Sequence, residues 1–281
     1  MRRTRIVAVL LLGACLLAPV GAQVRTDVPY RILVSNDDGV NAPGLAAVAK
    51  TLQAIGDVTI VAPSVNQSGK GHSIVTSEPV FRQDLTLPNG LHAIGLTATP
   101  ATTVNIAIRN IVTPSPDLVV SGINRGYNLG LTNYVSGTVG AAREAAMHGI
   151  PAIAASLSDA GVPQDYGAAA EEVLAVARRL KQFGIPKMTF LAVNIPARPA
   201  GGYKGYRVTS QASVQGGVES FAETKNPASG RIIYWNLYKE GATAPQGSDI
   251  WAVENGYVSV TPMKLGEYDP SALDTIKAWM K

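Results

Sequence analysis

Tyr30-Arg31-Ile32-Leu33-Val34-Ser35-Asn36-Asp37-Asp38-Gly39 is the stretch of this 281-residue chain around which the rest can be organised. Its first half is apolar without alternation, which predicts a strand buried on both faces. Such strands belong to parallel sheets covered by helices on either side. Two adjacent carboxylates then follow at the strand end. Crowded side chains of that kind repel by roughly 1–4 kcal/mol, depending on the local dielectric. Within a strand they would point to opposite faces. In a turn eased by Gly39 both can reach one cation. The pattern points to a hard metal ion held by oxygen ligands. The same residues also fit an Asp-Gly turn in which Asn36 or Asp37 caps the next helix.

From that strand onward the sequence alternates between two periodicities. Helical spacing is expected at 42–54, 102–111, 138–148 and in the alanine-rich 167–182. Strands are expected at 58–62, 117–121, 151–156 and 188–194, with shorter extended pieces at 73–82 and 91–96. Near-continuous apolar strands between helices predict an α/β fold with a parallel sheet and helices on both faces. Beyond Pro196 the composition shifts to Gly, Ser, Tyr and β-branched residues. Hairpins are expected there, for example at 231–237 and 256–261, followed by an amphipathic helix over 269–280 that packs on the core or on another subunit. The expected organisation is a leader at 1–22 and one domain at 23–281, with its core at 30–196 and a C-terminal extension at 197–281.

The leader has the form of an export signal. Arg2, Arg3 and Arg5 precede an apolar run too short to span a bilayer comfortably, and Val20-Gly21-Ala22 offers small residues for cleavage. Leu12-Gly13-Ala14-Cys15 also resembles a lipoprotein processing box, but the residues after it stay apolar, so simple export to the periplasm or outside is the expectation. Removing three arginines leaves 21 basic against 20 acidic residues, down from a formal charge of +4. Neither a nucleic-acid partner nor, unless Cys15 is lipidated, a membrane partner is expected of the mature chain. Cys15 is the only cysteine, so a chain cut after Ala22 has no disulfide and depends on its core.

Ligands of open parallel sheets bind beyond the carboxyl ends of the strands. Four polar segments are expected on that rim: 36–39, 66–72, 122–130 and 134–138. Asn66-Gln67-Ser68-Gly69 brings a hydroxyl and carboxamides, or is a plain surface loop. Asn124 supplies a neutral oxygen directly after a buried strand. Ser136-Gly137-Thr138 opens a helix whose N–H groups suit a phosphate, or is a simple N-cap. Arg125 could pair with an anion or stand solvated. Among the histidines only His72 lies on the rim, where it could serve as an acid or an anion contact. His92 and His148 lack zinc spacing. Ser68-Gly69-Lys70-Gly71 lacks the spacing and ending of a P-loop.

These segments, with Ala42-Pro43-Gly44, Ala62-Pro63, Val193-Asn194-Ile195-Pro196, Asp249 ahead of Trp251-Ala252, and the 256–262 run, resemble the SurE family of metal-dependent 5′/3′-nucleotidases, also called survival-protein or acid phosphatases. The resemblance implies a Rossmann-like core and one divalent cation per subunit, Mg²⁺ or Mn²⁺, held by Asp37, Asp38, Ser68 and Asn124. It implies hydrolysis of nucleoside monophosphates, and in the expected mechanism Asp37 and Asp38 are catalytic, holding the ion while one of them orients the attacking water, and Asn36, Ser136, Gly137 and Thr138 grip the phosphate by hydrogen bonds. It further implies homodimers or homotetramers that exchange their C-terminal extensions. The chain departs from the family at Ala98-Thr99-Pro100-Ala101-Thr102-Thr103-Val104, where Gly-Thr-Pro-x-Asp-Cys-Val is usual, so a relaxed nucleotide preference is expected. An aspartyl-nucleophile phosphatase would need Asp-x-Asp rather than Asp-Asp. An exported, non-catalytic receptor for nucleotides or other phosphate esters is the alternative.

Overall fold

The computed structural model describes residues 29–160, 163–214, 217–239, 244–266 and 269–280. The leader at 1–22, with Cys15, lies outside the described residues. The sheet strands are β1 (Arg31–Ser35), β2 (Asp57–Pro63), β3 (Arg82–Thr86), β4 (His92–Leu96), β5 (Leu118–Arg125), β6 (Ala152–Leu157), β7 (Thr189–Ile195) and β8 (Tyr206–Val208). A separate pair, β9 (Gly217–Lys225) and β10 (Ile232–Lys239), precedes β11 (Val258–Lys264). In the nine-stranded sheet the order is β3-β4-β2-β1-β5-β6-β7-β11-β8. Strands β4, β2, β1, β5, β6 and β7 are mutually parallel. Numbered by their own chain order, these six read 3-2-1-4-5-6, the doubly wound arrangement whose ligand crevice opens where the order reverses. That point lies between β1 and β5.

Alternate residues of the central strands feed two different cores, which is why the sequence shows no polar alternation. Ile32 and Val34 pack beneath α1 (Pro43–Leu52) and α4 (Tyr166–Phe183). Leu33, Val61 and Val119 pack beneath α2 (Pro100–Ile106) and α3 (Gly137–Met147). Local signals set the helix starts. Pro43 and Pro100 occupy first-turn positions, Asp165 accepts the Ala168 N–H at 2.9 Å, and Ser136 accepts that of Val139 at 3.1 Å.

Four expectations need correcting. The 73–82 segment is not a strand until Arg82. Val75 and Phe81 donate their N–H groups to the hydroxyls of Thr102 and Thr97, both at 2.8 Å, instead of to a ladder. The helix expected from 102 begins at Pro100, and its last turn, Ala107–Ile111, is π-helical. β5 continues four residues past Ser121. The 256–261 segment belongs not to a hairpin but to β11, which pairs antiparallel with β7 and parallel with β8.

The tail divides in two. α5 (Asp249–Glu254) and β11 are sewn into the core. Buried Asp249 accepts N–H bonds from Gly130 at 2.8 Å and from Ala212 at 2.9 Å. By contrast, the β9–β10 ribbon makes its substantial contacts between its own two strands. The terminal α6 (Leu273–Trp279) buries no residue, and Leu273, Ile276, Trp279 and Met280 are exposed.

Candidate active site

The turn after β1 is closed by Asn36. Its carboxamide nitrogen donates to the Gly39 carbonyl at 2.9 Å, and its oxygen accepts the Gly39 N–H at 3.2 Å. Both ends of Asn36 therefore shape the turn that presents the two acids. Asp37 is 3 % exposed and packs against the start of α3. Its Oδ1 accepts the Thr138 hydroxyl at 2.5 Å, and the Gly137 and Thr138 amides also bond to it. A Cβ on Gly137 would lie 2.9 Å from Asp37 Oδ2, so only glycine lets the helix approach this closely. Burial pushes the Asp37 carboxyl up, against the pull of those donors.

Asp38 sits half-buried beside it, its Oδ2 accepting the Arg125 N–H at 3.1 Å. Its pKa is pushed up to about 6, chiefly by burial and then by the charge of Asp37, with the Arg125 amide and charge opposing. Two neighbouring acids that both resist ionisation form a site whose electrostatics call for a cation.

Asn124 reaches the same crevice through an irregularity. The β5–β6 register runs from Ser121 opposite Ala154 to Asn124 opposite Ser156, one residue longer on β5. That bulge re-aims the strand end. It depends on Gly122, whose φ of +133° suits glycine alone and whose Cβ would meet the Ala155 carbonyl oxygen at 2.3 Å. The Asn124 amide nitrogen donates to the Gly126 carbonyl at 2.8 Å, which leaves its carbonyl oxygen as the end a cation would use.

Ser68 arrives on the loop after β2 and is exposed. Its N–H bonds to Asn66 Oδ1 at 3.0 Å, and the Gln67 N–H bonds to the Asp37 carbonyl at 2.7 Å. Ser136 is the N-cap of α3, where its oxygen accepts from Val139 and its hydroxyl proton remains for a ligand. Gly137 and Thr138 serve Asp37 directly. His72 takes a different position from the expected rim contact. Its Nε2 lies 2.7 Å from Glu144 Oε2, seven residues along α3 from Gly137, or about 10 Å at helical rise.

Among the described residues, no group of three or more His, Cys, Asp or Glu side chains could hold a metal. A cation at this rim would therefore rest on two carboxylates and on neutral oxygens, a donor set that suits Mg²⁺ or Mn²⁺. Asp37 and Asp38 follow β1 and Asn124 lies at the end of the neighbouring strand β5, so the three stand at the crevice between those strands, and the Gln67–Asp37 bond brings the Ser68 loop to it.

Sequence reasoning missed Tyr166. Its ring lies beside Gly44, where a Cβ would sit 2.9 Å from Cε1, and its phenol is pushed up by burial and by the charge of Asp38. Nothing in one sequence places the first residue of α4 at the end of β1. Thr102, at the position where the resemblance implies an aspartate, accepts hydrogen bonds from the Val75 N–H and from the Thr99 hydroxyl, so it ties loops together without a charge.

Comparison with known proteins agrees with this architecture. The family profile described as Survival protein SurE matches residues 32–217. A 5′-nucleotidase SurE from Geobacter sulfurreducens is 40% identical over 249 residues, covering 88% of this chain and 93% of that protein. A 5′-nucleotidase SurE 1 from Thermus thermophilus is 42% identical over 238 residues, covering 84% and 92% respectively. The crystal structure of the SurE protein from Aquifex aeolicus superposes with a TM-score of 0.76 at 35% identity, covering 89% of this chain and all of that one. On these grounds the chain belongs to the SurE family.

Proposed function

We propose that this protein is a phosphoric monoester hydrolase that releases phosphate from nucleoside 5′- and 3′-monophosphates at the crevice between β1 and β5. The observation that carries the proposal is the pair of neighbouring acids, Asp37 and Asp38, both raised in pKa at the switch point of the sheet. The names of the relatives, 5′-nucleotidases, support the substrate class. Asp37, Asp38, Ser68 and Asn124 would hold one Mg²⁺ or Mn²⁺ per subunit, and that ion, when bound, supplies positive charge to an anionic ester and to the oxygens of its transition state.

The chain's own residues do the rest. Asp37 is fixed by Thr138 and by the α3 amides, so it turns little as charge develops. Asp38, the less buried acid, orients the attacking water and accepts its proton as the P–O bond to the nucleoside breaks, and the departing oxygen takes up a proton from solvent. The Ser136 hydroxyl, whose proton its N-cap role leaves free, donates to a phosphate oxygen. Uncharged Thr102 in place of an aspartate favours a tolerant pocket, so aryl phosphates are expected to be cleaved as well.

The test is phosphate release from nucleoside 5′- and 3′-monophosphates and an aryl phosphate with Mg²⁺, with Mn²⁺ and with chelator. Release that requires the metal and returns on its re-addition is expected. Tight nucleotide binding without release under any metal would make the protein a receptor instead.

We further propose that the mature protein is exported after loss of residues 1–22 and works as a homodimer or homotetramer. The β9–β10 ribbon supports assembly. Tyr234 and Trp235 are both 61% exposed and adjacent in β10, so they project from opposite faces of a two-stranded ribbon that cannot bury either. Trp235→Ser with Phe221→Ser is expected to weaken subunit association by roughly 30-fold or more. Light scattering across a dilution series checks this, and unchanged assembly would show that the ribbon lies outside the interface.

A further inference from the structure

We propose that His72 is a positioning residue that fastens the Ser68 loop to helix α3, so that the hydroxyl oxygen stands ready beside the paired acids before a cation arrives. The proposal rests on the reading of Ser68 as a cation ligand. Asp37, Asp38 and Asn124 issue from the ends of sheet strands and inherit the rigidity of the sheet. Ser68 alone comes from an exposed loop, and its place depends on how that loop is held.

Backbone bonds hold the loop near its middle, from Gln67 N–H to the Asp37 carbonyl at 2.7 Å and from Gly71 N–H to the Val135 carbonyl at 2.9 Å. Close packing adds a third point. A Cβ on Gly140 would lie 2.1 Å from the Gly71 carbonyl oxygen, so the loop rests directly on the surface of α3. The side chain of His72 then reaches along the helix to Glu144 at 2.7 Å.

Glu144 is built to receive it. The residue is 5% exposed, and its other oxygen accepts Asn105 Nδ2 at 2.5 Å and faces His148 Nε2 at 3.2 Å. Asn105 is in turn fixed by Arg109 Nε at 2.9 Å. Burial pushes the Glu144 carboxyl up. The hydrogen bonds from His72 and Asn105 and the charges of His72 and His148 outweigh that and hold it below the usual range. A carboxylate this well supported keeps the imidazole in one orientation and, with it, the loop four residues upstream. None of these groups touches the reacting atoms, so their effect falls on cation binding and not on the chemical step.

The experiment measures Mn²⁺ binding directly, from the electron paramagnetic resonance signal of free Mn²⁺, beside steady-state kinetics at saturating Mn²⁺. His72→Ala is expected to raise the Mn²⁺ dissociation constant about 10-fold, the low end for residues that orient metal ligands, while kcat at saturation stays within about 3-fold. His72→Gln, which keeps an N–H donor, is expected to recover most of the affinity. Glu144→Gln should match His72→Ala, with no further loss in the double variant.

A folded His72→Ala protein with wild-type Mn²⁺ affinity would overturn the proposal. Ser68→Ala separates the two readings. If it weakens Mn²⁺ binding while His72→Ala does not, the fastening role falls and the ligand set stands. If Ser68→Ala leaves affinity intact, the ligand reading falls and takes the proposal with it.

Discussion

Asp38→Asn is expected to lower phosphate release by about 1,000-fold or more while making the chelated protein more stable. The first effect follows from removing the acid proposed to serve both the cation and the attacking water. The second follows from linkage. The folded carboxyl titrates near 6, against an ordinary value of 3.8, because burial and Asp37 oppose its charge. A raised acid pKa means that the folded state holds its proton at pH values where the unfolded chain has lost it. In metal-free protein this group therefore costs stability above about pH 6, and the cost fades as pH falls through 6 towards 4. The full shift is worth up to about 3 kcal/mol, and solvent access to Asp38 reduces that to about 1–2 kcal/mol.

Asparagine removes the charge and keeps an oxygen for the Arg125 N–H. Thermal unfolding in chelator at pH 7.5 should thus place the variant about 3–6 °C above wild type, with the gap closing by pH 4.5. Added Mn²⁺ should reverse the ranking, because the wild type gains binding energy that the variant has lost. A variant less stable than wild type in chelator at pH 7.5 would show that the two acids do not strain the metal-free fold.

Gly44→Ala is expected to cost about 3 kcal/mol and to reduce activity further than the lost stability explains. The added Cβ would lie 2.1 Å from the Ile123 carbonyl oxygen and 2.9 Å from the Tyr166 ring. The first neighbour is backbone and cannot rotate away, so α1 or the end of β5 must shift. Ile123 immediately precedes Asn124, so the shift reaches the proposed cation site. Gly201→Ala, with nothing within 4 Å of its Cβ, is the matched control and should change stability by less than about 0.5 kcal/mol. Urea unfolding and the Mn²⁺ activation constant measured on both variants check the pair. Equal stability of the two would refute the close approach of α1 to β5.

The paired acids were legible in the sequence, whereas the close approach of Gly44 to Ile123 was not. Runs such as Arg31–Ser35 and Ala152–Leu157 announce themselves because burial on both faces demands unbroken apolar composition. Helix α3 does so through Ser136, and helix α4 through its alanine-rich run. The four ordered polar segments predicted the rim for the same reason, since each follows or opens such an element.

What could not be read depends on residues far apart in the chain. The bulge at Gly122 exists only against Ala155 on β6, so β5 appeared to stop at Ser121. β11 resembles half a hairpin until β7 is known to lie beside it. His72 appeared to face the rim because its nearest sequence neighbours do, whereas Glu144, 72 positions away, takes its imidazole. Tyr166 enters the crevice only through the packing of α4 over α1.

Asp249 carries a temporal consequence. Every residue that would grip the cation has been synthesised by position 124, yet the Gly130 amide waits for a carboxylate 119 positions later. Vectorial synthesis therefore yields a nascent chain that holds all four proposed ligands before the segment leading into α3 is pinned. The pin is complete only once Asp249, in the last eighth of the chain, has been made, so products truncated before it are expected to carry the proposed ligands without hydrolysing esters.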